Sequence, residues 1–533
     1  KPSVGNSSFT TSRAVGIQGG DPEVWNSPQQ SYLHNYLNQF ESALYGANFE
    51  NPTTGYEAYI DVDSFIDNQW WIEITKQIDG YRISAYYSKD RNGKVRALPV
   101  WDYNLSLSNA YYLQGDQFAG WYYTQLGGGD YYWYPPLHVS PNYRIRHWDR
   151  YWQHRRTIWE TTAMQNRMEG YASELLNGSS LSVGNNTPGQ PPLQENAVMR
   201  HFRKYTILGN YLWPNAGGPS NEPATINPRP WQVNTTFQAE VNFMKNWIGQ
   251  RLNWIDDQNR VGSVIYRPPN FSHPGGNVSS GTQLVISAYT GTPPGGSTYA
   301  IGTLYYTSDG SDPRTATGAI SGSATTYAGP IVLNDSTVIR ARLYNAANWS
   351  PKMSANFIID AVPASAANLV VSEVHYNPPD PSPAEFAAGH TDSNDFEWIE
   401  LANVGEQTVD LSSVRLADAV QFDFADADPT TLTLEPGERV LVVGKKAAFL
   451  MRYGSNPSVK IAGEFSGNLA SEGEQLTALG TGDAIIAQFT WADIEPWPTA
   501  ADGDGYSLVL NNPAGNPDYE LPESWRASAT SGG

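Results

Sequence analysis

The 533-residue chain contains no cysteine. Disulfides, a thiol nucleophile and thiolate metal sites are therefore excluded, and a cysteine-free chain of this length fits a bacterial extracellular protein. No apolar stretch approaches the roughly 20 residues that a membrane-spanning helix requires. Charge is sparse as well: 16% of residues are charged, against roughly 25% in ordinary soluble domains. Of these, 53 are acidic and 33 basic, leaving a net charge of -20. Nucleic acid is excluded as a partner, because phosphate binding relies on concentrated positive charge, and cations or polar glycans are the more natural ligands. No Gly-x-x-x-x-Gly-Lys-Ser/Thr loop is present, and Gly444-Lys445-Lys446 lacks its spacing. No Gly-x-Ser-x-Gly elbow occurs either. Among the eight histidines, His147 and His154 lie two turns apart on one predicted helix, too far for a His-Glu-x-x-His site, and read as packing or surface residues. The first residue is Lys rather than Met, so a processed or partial product is expected, with any export signal upstream of Lys1.

What the chain does have is apolar and aromatic mass. At 40% hydrophobic and 13% aromatic, with 18 Trp and 32 Tyr, it is globular and long enough for several cores. Helical spacing is clear over Ser31–Tyr45, where Leu33, Tyr36, Leu37, Phe40 and Leu44 share a face, and over Phe237–Ile255. Arg146–Glu160 and Ala197–Leu212 also read as helices. Asp61 and Asp63 read as caps for a helix over Phe65–Ile74; an EF-hand would need Gly and Glu where Ile66 and Ile72 stand.

The most informative segment runs from Ile74 to Asn104. Tyr81–Ser88 has strand composition, Lys89-Asp-Arg-Asn-Gly93 is a polar turn, and Lys94–Val100 returns. A hairpin brings its ends together, so Asp79 and Asp102 are candidates for one metal-phosphate site. With Trp101-Asp102 at its end, the segment resembles the lower half of a CotH-like atypical kinase. That resemblance covers the first 262 residues and is strongest over Gly55–Tyr112 and near Asn253-Trp-Ile-Asp-Asp257. It implies Asp79 as the carboxylate that positions the acceptor hydroxyl, Asp102 as a metal ligand and Asn104 as a second one. It also leads to Asn at position 77, where this chain has Gln77. ATP and Mg are the implied cofactors if an upper lobe, expected before Lys1, is present; without that lobe the site is expected to be vestigial or incomplete.

Pro268–Gly281 and Pro363–Asn368 read as linkers. Between them short strands dominate, and Tyr305-Tyr-Thr-Ser-Asp-Gly-Ser-Asp-Pro-Arg314, Val338–Arg342 and Asn348-Trp-Ser350 resemble the β-sandwich appended to chitobiase and hexosaminidase enzymes. Asp309-Gly310 and Asp312-Pro313 are turn residues by type. After the second linker, Val370–Pro379, Asp395–Asn403, Val409–Ser412, Leu434–Gly437 and Asp502–Leu508 resemble a bacterial lamin-tail domain, an immunoglobulin-like sandwich without chemistry of its own. The expected fold is multidomain: an α+β kinase-like lower lobe over 1–262, then two all-β immunoglobulin-like sandwiches over 263–362 and 363–533.

Two further ligand readings stand beside their plainer alternatives. Asp502-Gly-Asp-Gly505 could hold calcium or form a Gly-rich turn, and Trp133 and Trp152 could be sugar-stacking platforms or core residues. The architecture is expected to serve an extracellular or cell-surface structural or adhesive protein that contacts itself, the cell envelope or extracellular polysaccharide. The alternatives are a secreted CotH-like kinase and a glycan-binding accessory protein.

Overall fold

The computed structural model describes residues 8–18, 27–90, 93–126, 133–179, 182–185, 196–454 and 460–532. In the first region the long helix Ser27–Leu44 buries Leu37, Phe40, Glu41 and Leu44, one stripe of the spacing seen in sequence. The helix Val62–Thr75 is instead buried nearly all round, through Phe65, Ile66, Trp70, Ile72 and Ile74, and forms the axis of the lobe. Asp61 is its N-cap, accepting from the Ser64 N–H at 3.1 Å. Asp63 pairs with Arg146 at 2.8 Å. The next helix spans Pro141–Arg155, displaced toward the N-terminus from the expected 146–160, because Ser140 caps it and Pro141 suits its first turn. Helices Thr161–Leu175 and Phe237–Asp256 pack together. Ala197–Lys204 stops well short of Leu212, since Tyr205 turns into extended backbone.

The expected hairpin between Asp79 and Asp102 is reduced to one antiparallel bridge, Ser88 with Arg96, closed by two 2.9 Å bonds. Two local causes act. The Asp79 carbonyl accepts from the N–H groups of Arg82, Ile83 and Ser84 at 3.0–3.1 Å, coiling the outgoing arm; Pro99 in the returning arm has no N–H to give a ladder. The turn residues Arg91 and Asn92 lie outside the described residues.

The second region builds a sheet in the spatial order Thr325–Thr326, Thr303–Thr307, Thr337–Asn345, Met353–Ile359, Gly276–Val278, with Asn348–Trp349 also on the third strand. It closes over the pair Thr282–Leu284 and Ile331–Leu333, around Leu284, Ile286, Leu333, Ile339 and Phe357. The third region is larger. Its six-stranded sheet runs Lys460–Glu464, Arg439–Val443, Trp398–Asn403, Leu369–His375, Leu508–Leu510, Trp525–Ala527. A five-stranded sheet opposes it, with Val371, Ile399, Leu401, Leu416, Leu476, Phe489 and Trp491 in the shared core. The fold is thus an α+β region followed by two β-sandwiches. Among the described residues no helix is long and apolar enough to cross a membrane.

First and second regions meet at a buried charge cluster. Arg342, on the strand Thr337–Asn345, is 1% exposed. It donates to Asp312 in its own sandwich at 2.7 and 2.6 Å and to Asp149 on the helix Pro141–Arg155 at 2.9 and 2.5 Å. Asp149 also accepts from the Lys352 N–H at 2.7 Å, and Arg314 reaches Asn142 at 3.0 Å. Asp312, read from sequence as a turn residue, is therefore also half of a clamp between regions.

Candidate functional site

The site grows from the end of the helix Val62–Thr75. Lys76 closes it with left-handed backbone, φ 49°. Its side chain turns inward, giving its protons to the carbonyls of Gln114 and Ala119 at 3.0 and 2.7 Å; burial, with the Arg251 charge assisting, pulls its pKa down to about 7. The chain then enters the loop Gln77–Tyr81. Gln77 is fully buried. Its Oε1 accepts from the Asp79 N–H at 2.6 Å and its Nε2 donates to the Asp102 carbonyl at 2.8 Å. One amide thus ties the backbones of the two candidate aspartates, and the Ile78 N–H to the Leu105 carbonyl, at 3.3 Å, adds a second tie.

The carboxylates differ. Asp79 is partly buried and meets Arg82 at 3.4 Å. Asp102 is exposed, sits at φ 60°, and accepts from the Ser84 hydroxyl at 3.2 Å. Asn104 is exposed in the short turn Tyr103–Leu105, its carbonyl accepting from the Asn109 amide. Asp102 and Asn104 are hard oxygen donors of the kind Mg takes, a few from protein with water and phosphate completing the shell; to that extent they fit the implied ion. Among the described residues no group of three or more His, Cys, Asp or Glu side chains is placed to hold a metal.

A buried network supports the loop from below. Glu73 accepts from the Tyr81 hydroxyl at 3.0 Å and from the N–H groups of Tyr122 and Tyr123 at 2.8 and 3.0 Å. Arg251, on the last helix of the region, donates to the Glu73 carbonyl at 3.0 and 2.6 Å and to the carbonyls of Phe118 and Gly120 at 2.8 and 2.7 Å. Burial pushes the Glu73 carboxyl up, opposed by the Arg251 charge and the N–H donors. The Tyr122 hydroxyl donates to the Ile78 carbonyl. Asp79 is therefore anchored through its neighbours on both sides.

The sugar-platform reading of Trp133 and Trp152 is corrected by their burial. Trp133 is 4% exposed, edge-on to Phe40 at 5.4 Å, and its indole N–H donates to Glu41 at 3.1 Å. Trp152 is 8% exposed, between the guanidinium groups of Arg156 and Arg267. Both lack a free ring face. His147 is likewise core, stacked on Trp70 at 4.0 Å. Asp502 accepts from the Asn377 amide at 2.6 Å, the behaviour of a turn residue. Sequence reasoning missed Glu73, Arg251, Asp149 and Arg342. Their ion-pair partners lie 30 to 193 residues away, so spacing carries no trace of them.

A family model described as CotH kinase protein matches residues 6–255. One described as Fn3 associated matches 297–357, and one described as Lamin Tail Domain matches 362–516. No curated protein matches the chain. In order along the sequence, these matches fall on the α+β region, the small sandwich and the large sandwich just described. The chain is a multidomain protein that joins a CotH kinase-type region to an Fn3-associated region and a lamin-tail domain.

Proposed function

We propose that this is an extracellular or cell-surface protein whose CotH-type region carries the acceptor and metal carboxylates of a phosphoryl-transfer site. The observation that carries the reading is the Gln77 amide, which joins the Asp79 and Asp102 backbones at 2.6 and 2.8 Å. Phosphoryl transfer is mostly positioning and charge neutralisation. Asp79, anchored on a coil and set beside Arg82, would orient an acceptor hydroxyl and take its proton. Asp102, exposed and partnered only weakly by Ser84, with Asn104 beside it, would hold a divalent ion; Mg bound with ATP would neutralise charge on the phosphates. The test is Mg·ATP binding by the full-length protein. Wild type is expected to bind, and Asp102→Ala to lose that binding. Full affinity in the variant, or none in wild type, refutes the reading.

A second reading, a structural or adhesive role through self-association or surface contacts, is favoured by the buried Arg342 clamp. It ties the first two regions together through one buried cation, the kind of joint a load-bearing or assembling protein needs. A monodisperse monomer that binds neither cell envelope nor polymer would overturn it.

A further inference from the structure

The arm that forms no ladder carries Ser84 back to the candidate site. The Asp79 carbonyl accepts from the N–H groups of Arg82, Ile83 and Ser84 at 3.1, 3.0 and 3.0 Å. Just before this coil, the Tyr81 hydroxyl donates to buried Glu73 at 3.0 Å. Ser84 is therefore fixed through its own amide to the residue read as the acceptor-positioning carboxylate. Its hydroxyl then donates to Asp102 Oδ2 at 3.2 Å, so one serine spans from the Asp79 loop to the exposed carboxylate of the returning arm.

Asp102 does not do what an aspartate at its position ordinarily does. It stands immediately before the short turn Tyr103–Leu105, where an aspartate side chain commonly caps the first free N–H groups, yet it makes no cap bond. Its backbone is left-handed, with φ 60° and ψ 52°, a conformation that costs a residue other than glycine on the order of 1 kcal/mol or more. The Gln77 amide holds it there through the Asp102 carbonyl at 2.8 Å. The carboxylate is thus turned away from the backbone donors beside it and toward Ser84.

The two oxygens are spaced as neighbouring ligands are. Oxygens at right angles on one Mg ion, each 2.0–2.1 Å from it, lie roughly 2.9 Å apart; the observed 3.2 Å is wider by only about 0.3 Å. A serine hydroxyl has one proton and two lone pairs and turns freely. Directing its proton to solvent or to a phosphate oxygen leaves a lone pair beside Asp102 Oδ2 for the ion. One carboxylate and one neutral oxygen form a set that Mg accepts, because Mg keeps several waters and takes further oxygens from substrate phosphates. A soft ion gains little from such a set.

We propose that the Ser84 hydroxyl is a ligand of the divalent ion held by Asp102, so that the coil at Asp79 places a metal ligand as well as the acceptor carboxylate. Ser84 has this role only if Asp102 binds metal, and in that it rests on the phosphoryl-transfer reading. The test is calorimetric binding of Mg·ATP and Cd·ATP to the full-length protein and two variants. Ser84→Ala should weaken Mg·ATP by about tenfold or more, since even groups that only orient metal ligands are worth about 10–100-fold in metal affinity. Ser84→Cys puts a soft donor at the same point. The chain has no other cysteine, so a change in ion preference reports ligation at position 84. The ratio of Cd·ATP to Mg·ATP affinity should rise about tenfold or more over wild type; a residue that only props the loop would leave that ratio unmoved. Full Mg·ATP affinity in Ser84→Ala, or an unchanged ion ratio in Ser84→Cys, overturns the assignment of Ser84, and the phosphoryl-transfer reading still stands if Asp102→Ala loses the nucleotide. No Mg·ATP binding by wild type overturns both.

Discussion

Glu397 lies where a carboxylate is least comfortable. It follows the turn Ser393–Phe396 at the head of the strand Trp398–Asn403 and is fully buried. Its Oε2 accepts from the Leu469 N–H at 2.9 Å, while Oε1 is buried without a hydrogen-bond partner. Burial is the main reason its pKa rises to about 8; the Leu469 N–H opposes, and Asp392, Glu474 and Asp395 add repulsion. The sign follows directly. The unfolded chain releases this proton near the ordinary 4.5 and the folded chain holds it to about 8, so stability is highest below pH 4.5, falls as pH rises toward 8, and levels off above. Each tenfold difference in proton affinity is worth about 1.4 kcal/mol, which puts the full loss at roughly 5 kcal/mol. Glu397→Gln keeps the shape and the acceptor for Leu469 but cannot ionise. Hydrogen exchange of the Leu469 amide and of the strand Trp398–Asn403, read at pH 5 and pH 9 and corrected for intrinsic rates, isolates this sandwich from the rest of the chain. Variant and wild type should differ by only about a few-fold at pH 5. At pH 9 the variant should be better protected, by a factor on the order of a thousand if the full difference is expressed. An equal ratio at the two pH values would refute the argument, because only the ionisable carboxyl distinguishes the two proteins.

Two other perturbations test the joints described above. Arg342→Met leaves Asp149 and Asp312 facing each other without their shared cation; breaking a buried pair on one side costs about 3–5 kcal/mol, so limited proteolysis should open the segment between the first two regions, and Asp149→Asn in the same chain should recover part of the protection. Gln77→Leu removes both hydrogen bonds of the amide that ties the candidate aspartates and strands a buried N–H and carbonyl, at about 1–3 kcal/mol each; the melting temperature should fall, and Mg·ATP affinity should fall with it, whereas Gln77→Asn, one methylene shorter, should keep most of the stability while weakening the nucleotide.

How much of this was legible depended on how far each interaction reaches along the chain. The helix Phe237–Asp256 was readable because its signal is local, a repeat of apolar residues ending at a cap. The hairpin between Asp79 and Asp102 misled because strand composition was local but the competing interaction was not composition at all: the Asp79 carbonyl accepts from three N–H groups, which coils the arm and leaves it no ladder. Yet the inference drawn from the hairpin, that residues 79 and 102 come together, did not need the ladder, since the Gln77 amide makes the same closure. Position 77 stood out in the sequence only as a departure from Asn, and its burial explains why a longer amide can matter there: it must span from one loop to the next. The aromatic platforms failed for the opposite reason. Trp133 and Trp152 sit in dense aromatic runs, and density marks a core, whereas the exposed rings Trp101 and Trp213 stand in sparser stretches of the sequence. Exposure is set by what the other elements leave uncovered, which composition alone does not reveal.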